Sequence, residues 1–433
     1  MKTQEFTLQN GLRIIFIDTK AFPTLTTLLL VGAGSRYEKK ENNGVAHFLE
    51  HMFFKGSKKY PDPYTLTSTI EGLGGVWNAF TSKDYTGYFI KATNEHFNIM
   101  IDVLSDVLLN PLFKVEEIEK EKGVIVEEIN MYEDMPQSQV SDLFENLLYK
   151  GNPLGYDTIG TKQTVRSFTR QTFSNYQNQL YHPKNAVLVV AGGLDIRNTR
   201  HHVSSLPNYL NIIQQKFKNW NGGVKAEFEI MKEIQTQPEM LVKNKKTEQA
   251  HFCLGFRTFS LSDKRRNILS VLAAILGVGA SSKLFMELRE KRGLCYYIGT
   301  GLQYYHDCGN MVTQAGVPKD IEKVKEAIKV TLEEHYQLYK KGFSKKDLLK
   351  AKEILKGRLL LSMEDSFNVA HFYGKKAVLE TKIESPQEVI SQIEKVTDEE
   401  IRALTQVVFQ QSKLNVAVIG PFKKNDFENL PLF

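Results

Sequence analysis

Apolar and polar residues near the start of the chain follow the pattern of β-strands. Two runs rich in threonine, leucine, isoleucine and valine, residues 12–17 and 24–31, are separated by turn-forming residues, which is typical of strands. Two further strand-like runs, residues 76–81 and 85–92, flank the polar segment Ser82-Lys83-Asp84. Because a short polar turn between two such runs indicates an antiparallel pair, these residues predict a β-hairpin.

Between and after these strands the period of the apolar residues becomes helical. Pro63 stands where a first helical turn tolerates proline, and it opens a short helix that a pair of glycines ends. Two longer helical patterns span residues 95–109 and 115–133, and Asn110-Pro111 separates them. The segment between the first strands and Pro63, which contains two histidines, also has a helical pattern.

The same order of elements occurs twice along the chain. In each half, hairpin strands are followed by helices and then by a closing strand, at residues 185–192 in the first half and 415–420 in the second. Each half has roughly 200 residues, which is an ordinary domain length. We therefore predict an N-terminal domain at residues 1–215, a polar linker at 216–246 and a homologous C-terminal domain at 247–433.

Composition is that of an ordinary soluble globular protein. Hydrophobic residues make up 42% and charged residues 24% of the 433 positions, and the net charge of +6 is spread along the chain. We therefore expect no nucleic-acid partner. The N-terminus lacks a secretory signal pattern, and the most apolar runs, residues 28–31 and 187–191, are too short to cross a bilayer. We expect a cytoplasmic protein with no membrane partner.

The segment His47-Phe48-Leu49-Glu50-His51 carries the candidate chemistry. On a helix, His47 and His51 lie one turn apart, and Glu50 leans toward the same face. A hydrolytic zinc site requires nitrogen ligands, an open position for water and a nearby base that accepts the water's proton. Histidine pairs at this spacing also occur on half-exposed helix faces without a metal. The apolar neighbours favour a metal, because burying this cluster without one would be costly.

The third metal ligand is expected from the second of the long helices. Glu121, Val124, Ile125 and Glu128 recur there at helical spacing, so two carboxylates lie on one stripe, two turns apart. A zinc site with two histidines usually takes a carboxylate as its third ligand and water as its fourth. Periodicity alone does not choose between Glu127 and Glu128, and glutamates on a helix are often only a solvated face.

The motif and its surroundings resemble one family of zinc peptidases. His47-x-x-Glu50-His51 is the inverted H-x-x-E-H motif of the inverzincins. Other segments are similar, in the expected order, to the family of pitrilysin, insulin-degrading enzyme and mitochondrial processing peptidase. These segments are residues 32–36, 74–82, 121–128, 152–155 and 182–185. The resemblance covers nearly the whole chain and is to the short, two-domain bacterial type.

The resemblance implies a fold and an activity. The fold would be α+β, with two tandem, structurally similar domains, each a mostly antiparallel sheet packed with helices, together forming half of a clamshell. The activity would be that of a zinc-dependent endopeptidase that hydrolyses short or unfolded peptides in a closed dimeric chamber. Glu50 would be the general base on the zinc-bound water, with one zinc per chain. Manganese or cobalt could replace the zinc in vitro.

The resemblance also favours one of the two candidate glutamates. In the family, the metal-binding glutamate follows the second histidine by about 77 positions, and Glu128 follows His51 by 77. The three metal ligands would then be His47, His51 and Glu128. Glu121 corresponds to a family glutamate that orients the site from the outer shell, where carboxylates hold the ligands in place and tune their basicity.

The second half has its own signature but no counterpart of the metal motif. Residues 276–285 and 288–296 resemble the second-domain motif of bacterial and mitochondrial members. In active relatives an arginine and a tyrosine seven positions apart contact the substrate, and Arg289 and Tyr296 have that spacing. Because long relatives join four such domains, a two-domain chain is expected to pair. A homodimer would build two complete sites, and a heterodimer with an inactive homologue is an alternative.

The strand at residues 77–81 is the candidate substrate-binding element. In relatives it lies beside the metal helix and accepts an extended peptide as an added strand. The residues concerned would be Trp77, Asn78, Ala79, Phe80 and Thr81, although an ordinary hairpin strand would have the same pattern. The alternative function is that of a non-catalytic or recognition subunit of a heterodimeric processing peptidase. Such chains usually lose metal residues, whereas this chain keeps all four positions.

Overall fold

The structure, a computed structural model, describes residues 1–20, 22–194, 206–223, 227–380, 382–428 and 430. Its strands are β1 (Lys2–Thr7), β2 (Arg13–Asp18), β3 (Thr24–Val31), β4 (Val76–Thr81), β5 (Thr86–Thr93), β6 (Ala186–Gly192), β7 (Glu239–Asn244), β8 (Gln249–Thr258), β9 (Tyr297–Tyr304), β10 (Gly309–Pro318) and β11 (Leu414–Gly420). Its α-helices are α1 (Val45–Phe53), α2 (Pro63–Glu71), α3 (Phe97–Leu109), α4 (Val115–Glu133), α5 (Pro136–Leu148), α6 (Lys162–Ser167), α7 (Arg170–Leu180), α8 (Leu206–Phe217), α9 (Arg266–Gly277), α10 (Ile321–Lys341), α11 (Lys345–Ser362), α12 (Ser366–Leu379), α13 (Pro386–Lys395) and α14 (Asp398–Val408).

The first compact unit is built on a six-stranded sheet. It comprises residues 1–129, 156–229 and 361–384. The strand order is β1-β2-β6-β3-β5-β4, in which β2 and β6 are parallel and all other neighbours are antiparallel. The predicted strands at residues 24–31 and 76–81 and the predicted helix at 115–133 are confirmed at their boundaries. Strand β4 lies at the edge of the sheet, next to β5.

The second compact unit repeats this topology. It comprises residues 130–155, 230–360 and 385–433. Its sheet has the order β7-β11-β8-β10-β9, with β7 and β11 parallel and the other pairs antiparallel. Apart from β1, each strand of the first sheet therefore has a counterpart in the second, in the same spatial order. The predicted α+β fold with two similar, mostly antiparallel domains is confirmed.

Each unit takes one helix from the other half of the chain. Helix α12 packs on β3 and β6 of the first sheet, and α5 packs on β8 and β11 of the second. The sheets need these helices because central strands such as β3 and β6 have residues that are nearly all buried, on both faces. A sheet of this kind needs helices on both sides to remove its apolar surface from water.

Contact between α12 and the first sheet is close. A Cβ atom on Gly374 would lie 2.5 Å from Leu30 Cδ1 and 3.1 Å from Val189 Cγ2, so the absence of a side chain lets the helix approach the sheet. At the start of the helix, the hydroxyls of Ser366 and Thr26 are hydrogen bonded at 2.8 Å. These contacts make α12 an integral layer of the first unit.

The predicted linker at residues 216–246 contains regular structure that the pattern did not predict. Strand β7 (Glu239–Asn244) lies within it and pairs in parallel with β11. Trp220, near its start, is buried in the core of the first unit. The contiguous division at residues 215 and 247 stays a prediction. None of the helices in the described part of the chain has both the length and the apolarity to span a membrane.

Candidate metal centre

Helix α1 begins at a tightly packed glycine. Gly44 precedes it with φ = 96°, in the left-handed region that glycine tolerates best. A Cβ atom at this position would lie 2.6 Å from the carbonyl oxygen of Ile159. The carboxylate of buried Glu38 accepts hydrogen bonds from the backbone N–H groups of Gly44, at 2.7 Å, and Ala46, at 2.8 Å. Because these donors have no partner within the helix, Glu38 fixes its first turn.

The apolar face of α1 determines which way the candidate ligands point. Phe48 and Phe53 are fully buried, and the ring of Phe48 lies 4.9 Å from that of Phe173. With this face packed in the core of the first unit, His47 and His51 lie on the other side of the helix. The centroids of their rings are 4.6 Å apart.

Glu128 completes a three-residue cluster with the two histidines. His47 Nε2 lies 3.7 Å from one Glu128 oxygen, and His51 Nε2 lies 3.7 Å from the other. One donor atom from each residue can be chosen so that all three lie within 4.8 Å of one another. Of the two candidate glutamates, Glu127 is exposed and Glu128 faces the cluster. Within the predicted stripe, Ile125 is buried but Val124 is exposed.

The spacing of this cluster fits a metal ion better than a hydrogen-bonded network. The nitrogen to oxygen separations of 3.7 Å are too long for hydrogen bonds. Two ligands of one tetrahedral zinc, each at about 2.0–2.2 Å, lie roughly 3.4 Å apart. Two imidazoles and one carboxylate are also a donor set that zinc accepts, with a fourth position left open. His47, His51 and Glu128 could therefore hold such an ion.

The protonation preferences of the cluster follow from burial and its neighbours. Burial, helped by the nearby His51, lowers the pKa of His47 to about 3, which keeps its imidazole neutral and able to bind a metal. Burial also raises the pKa of Glu128. For His51, burial would lower the pKa, but the hydrogen bond and charge of Glu121 outweigh it, and the net direction is upward.

Glu121, the residue that the family resemblance places in the outer shell, contacts His51. Its Oε1 lies 2.8 Å from His51 Nδ1. Burial would raise the pKa of Glu121, but hydrogen bonds from His51 and Lys55 lower it overall. An ionised Glu121 accepts a hydrogen bond from Nδ1–H, which leaves Nε2 free to bind a metal. Lys55 was missed by sequence reasoning, since a single lysine after a helix carries no signal of a distant partner.

Glu50, on helix α1, contacts the edge strand β4. One of its oxygens accepts a hydrogen bond of 2.5 Å from the hydroxyl of Thr81 in β4, and the residue is 9% exposed. Burial raises its pKa, while the bond from Thr81 acts in the opposite direction. A carboxylate with a raised pKa is better suited to accept and return a proton near neutral pH.

Strand β4 presents alternate side chains to the two faces of the sheet. Ala79 lies in the core on the side of helix α1. The ring of Trp77 packs on that of Phe54, with centroids 4.3 Å apart. Asn78 is exposed, and Phe80 lies 5.4 Å from the ring of His371 in α12. All five predicted substrate residues therefore belong to one edge strand, and Thr81 links it to Glu50.

Arg289 and Tyr296 belong to the second unit, whereas the three candidate metal ligands belong to the first. Arg289 lies on a π-helical segment, Phe285–Lys291, and Tyr296 lies just before β9. The guanidinium of Arg289 is 5.4 Å from the centroid of the Tyr296 ring. Tyr296 is 71% exposed, which is high for an aromatic side chain. The structure therefore brings these two predicted residues together.

Comparisons with known proteins identify the family. The family model described as "Insulinase (Peptidase family M16)" matches residues 13–162, and the one described as "Peptidase M16 inactive domain" matches residues 167–355. The "Uncharacterized zinc protease YmxG" of Bacillus subtilis is 34% identical over 96% of this chain and 98% of its own length. This chain belongs to peptidase family M16. The "Uncharacterized zinc protease SCO5738" of Streptomyces coelicolor is 30% identical over 98% of this chain and 91% of its own length.

Solved structures have the same fold as this M16 chain. A protease from Helicobacter pylori superposes with a TM-score of 0.89 at 22% identity, covering 97% of this chain and 100% of the other. A protein from Pseudomonas fluorescens described as a peptidase M16 inactive domain superposes with a TM-score of 0.87 at 18% identity, covering 98% of both chains. The family model described as an inactive domain matches only from residue 167 onward, so its match does not include His47, His51 or Glu128.

Proposed function

We propose that this chain is a zinc-dependent endopeptidase with one zinc per chain. The observation that carries the proposal is the convergence of His47, His51 and Glu128 around one point, with Glu50 on the same helix as the histidines. Membership of family M16 and the naming of relatives as zinc proteases support it. The distance of 3.7 Å from Glu128 to each imidazole is consistent with ligands of a shared metal.

The chemistry divides between the metal and the carboxylate. Zinc held by His47, His51 and Glu128 would supply a Lewis acid that polarises the scissile carbonyl and makes water a better nucleophile at neutral pH. Glu50 accepts the proton of the attacking water and returns it to the leaving amine. The hydrogen bond from Thr81 holds the Glu50 carboxylate in one orientation. Glu121 orients His51 through Nδ1.

We infer that the substrate is an extended peptide bound along β4. Within the described part of the chain the strand pairs with β5 and lies at the edge of the sheet, so its other side is open to an added strand. Backbone pairing of this kind reads little sequence, which suits short or unfolded peptides. The Thr81 contact with Glu50 supports the proposal, because it joins the peptide-binding edge to the general base.

Cleavage of a quenched peptide should require the metal. Treatment with a strong chelator is expected to abolish turnover, because no protein group replaces the Lewis acid, and one equivalent of zinc per chain should restore it. Metal content and turnover are measured on the same samples, with the untreated protein as the control. Full turnover by a sample shown to be free of metal would contradict the proposal.

We further propose that two chains form a closed chamber and share their sites. Arg289 and Tyr296 of one chain would contact the substrate bound at the metal of the other, where Tyr296 would stabilise the developing oxyanion. The exposure of Tyr296 and its contact with Arg289 support a role at a surface that meets a ligand or a second chain.

Mixing two inactive variants tests the shared site. Glu50→Gln chains and Arg289→Ala chains are each expected to be inactive as homodimers. In a mixed dimer, one site combines an intact Glu50 with an intact Arg289. An equal mixture should therefore recover about a quarter of wild-type activity, since about half the dimers are mixed and each has one complete site. If mixed dimers form, as checked with two affinity tags, and no activity returns, the model of shared sites is wrong.

The alternative is a non-catalytic or recognition subunit of a heterodimeric processing peptidase. The family match described as an inactive domain gives this alternative some weight. It predicts no peptide cleavage by the isolated chain loaded with zinc. The convergence of the three candidate ligands, with Glu50 on the same helix as the two histidines, favours the catalytic function.

A further inference from the structure

Lys55 contacts the metal cluster through an intermediate carboxylate. It lies two residues after helix α1, and its Nζ is 2.6 Å from Glu121 Oε2. The other oxygen of Glu121 lies 2.8 Å from His51 Nδ1. The side chain of Glu121 is only 5% exposed, whereas that of Lys55 is 26% exposed. Lys55, Glu121 and His51 therefore form a continuous chain of contacts that ends at a candidate metal ligand.

Of the two histidines, only His51 has an outer hydrogen-bond partner in the described part of the structure. His47 Nδ1 is buried there without a hydrogen-bond partner. His51 Nδ1, in contrast, is held by Glu121. Ring orientation at a metal site depends on such outer contacts, so the geometry of the cluster depends strongly on where the Glu121 carboxylate lies.

A carboxylate as buried as Glu121 needs more than one partner to stay in place. An isolated ionised carboxylate is costly to bury, and an opposite charge with good hydrogen-bond geometry offsets that cost. A neutral imidazole supplies one N–H group and no charge. Lys55 supplies the charge, and its contact at 2.6 Å defines the position of the second oxygen.

We propose that Lys55 is a positioning residue for the metal centre, which holds Glu121 so that Glu121 can orient His51 toward the ion. This inference rests on the proposed metal site. It assigns Lys55 no contact with substrate or metal. Its effect should appear in metal affinity and in the geometry of the site, and it should depend on Glu121.

The test is zinc affinity, measured by competition with a chromophoric chelator on full-length protein. Lys55→Met removes the charge and keeps much of the side-chain volume, and we expect it to weaken zinc binding about 10–100-fold. Lys55→Arg keeps the charge and the reach to Glu121, and it should retain most of the affinity. The visible spectrum of the cobalt-substituted protein should change in Lys55→Met, because the ligand geometry changes.

Lys59→Met is the matched control. Lys59 lies four positions further along, and its Nζ forms an ion pair of 2.5 Å with Asp102, which is not one of the three candidate ligands. Zinc affinity and the cobalt spectrum should stay at wild-type values in this variant. An equal loss in Lys55→Met and Lys59→Met would mean a general loss of structure and would overturn the proposal, as would unchanged affinity in Lys55→Met.

A double-mutant cycle tests the route through Glu121. In a Glu121→Gln background the further change Lys55→Met should have little effect on zinc affinity, because the carboxylate that Lys55 contacts has been replaced by a neutral amide. Additive losses would overturn the proposal. Failure of the Lys55 proposal is distinguishable from failure of the proposed function, because every readout for Lys55 is metal binding and none is peptide cleavage. Wild-type protein that binds zinc tightly but cleaves no peptide would refute the peptidase and leave the Lys55 result intact.

Discussion

Replacing Glu50 with glutamine should lower peptide cleavage on the order of 10²–10⁴-fold while zinc remains bound. Glutamine has the same shape as glutamate, and its amide oxygen can still accept the hydrogen bond that Thr81 donates at 2.5 Å. It cannot accept a proton from water at neutral pH. Glu50 lies outside the cluster of three candidate ligands, so zinc affinity should change little. The measurements are kcat for a quenched peptide and zinc content.

Two neighbouring glutamates on α4 provide matched controls for this result. Glu127→Gln should leave both cleavage and zinc content at wild-type levels, because Glu127 is exposed. Glu128→Gln should lose zinc as well as cleavage, because its carboxylate faces both imidazoles. Turnover retained by Glu50→Gln would eliminate the general-base assignment. Loss of zinc in Glu127→Gln but not in Glu128→Gln would reverse the choice of ligand.

The sequence predicted the local elements of the site well, and the reason is physical. Helix α4 runs over Val115–Glu133 as predicted, because its apolar period is regular and Pro111 and Pro136 lie just outside it. Periodicity did not choose between Glu127 and Glu128. The two residues are adjacent on the helix, and the apolar pattern does not specify which of their two directions faces a partner. Burial distinguishes them, and burial depends on packing that periodicity does not contain.

Other features depend on contacts between residues far apart in sequence. Strand β7 was missed because its residues are half-buried or exposed, which is typical of an edge strand and resembles a polar linker. The contact of Lys55 with Glu121 was missed because ion pairs across elements leave no local pattern. The exchange of α5 and α12 between the two units has no local signal either, since both helices look ordinary in sequence.

Because α12 belongs to the first unit, a substitution in this helix should have a large effect on the unit that contains the candidate metal centre. Ala370 of α12 is fully buried and stands one turn before Gly374, whose Cβ position faces Leu30 and Val189 of the first sheet. Ala370→Asp would place a carboxylate at a fully buried position in an apolar contact, which should cost about 3–5 kcal/mol. Since a typical domain is stable by about 5–15 kcal/mol, this is a large part of the stability of the first unit.

Tryptophan fluorescence reports this effect selectively. Trp77 and Trp220 are the two tryptophans of the chain, and both belong to the first unit. The denaturation midpoint seen by fluorescence should fall sharply in Ala370→Asp. In Asn368→Asp the same residue is introduced at an exposed position of the same helix, and the change should be within about 0.5 kcal/mol. An unchanged midpoint in Ala370→Asp would mean that α12 is not part of the unit that holds the candidate metal centre, and that the contiguous division of the chain describes its folding better.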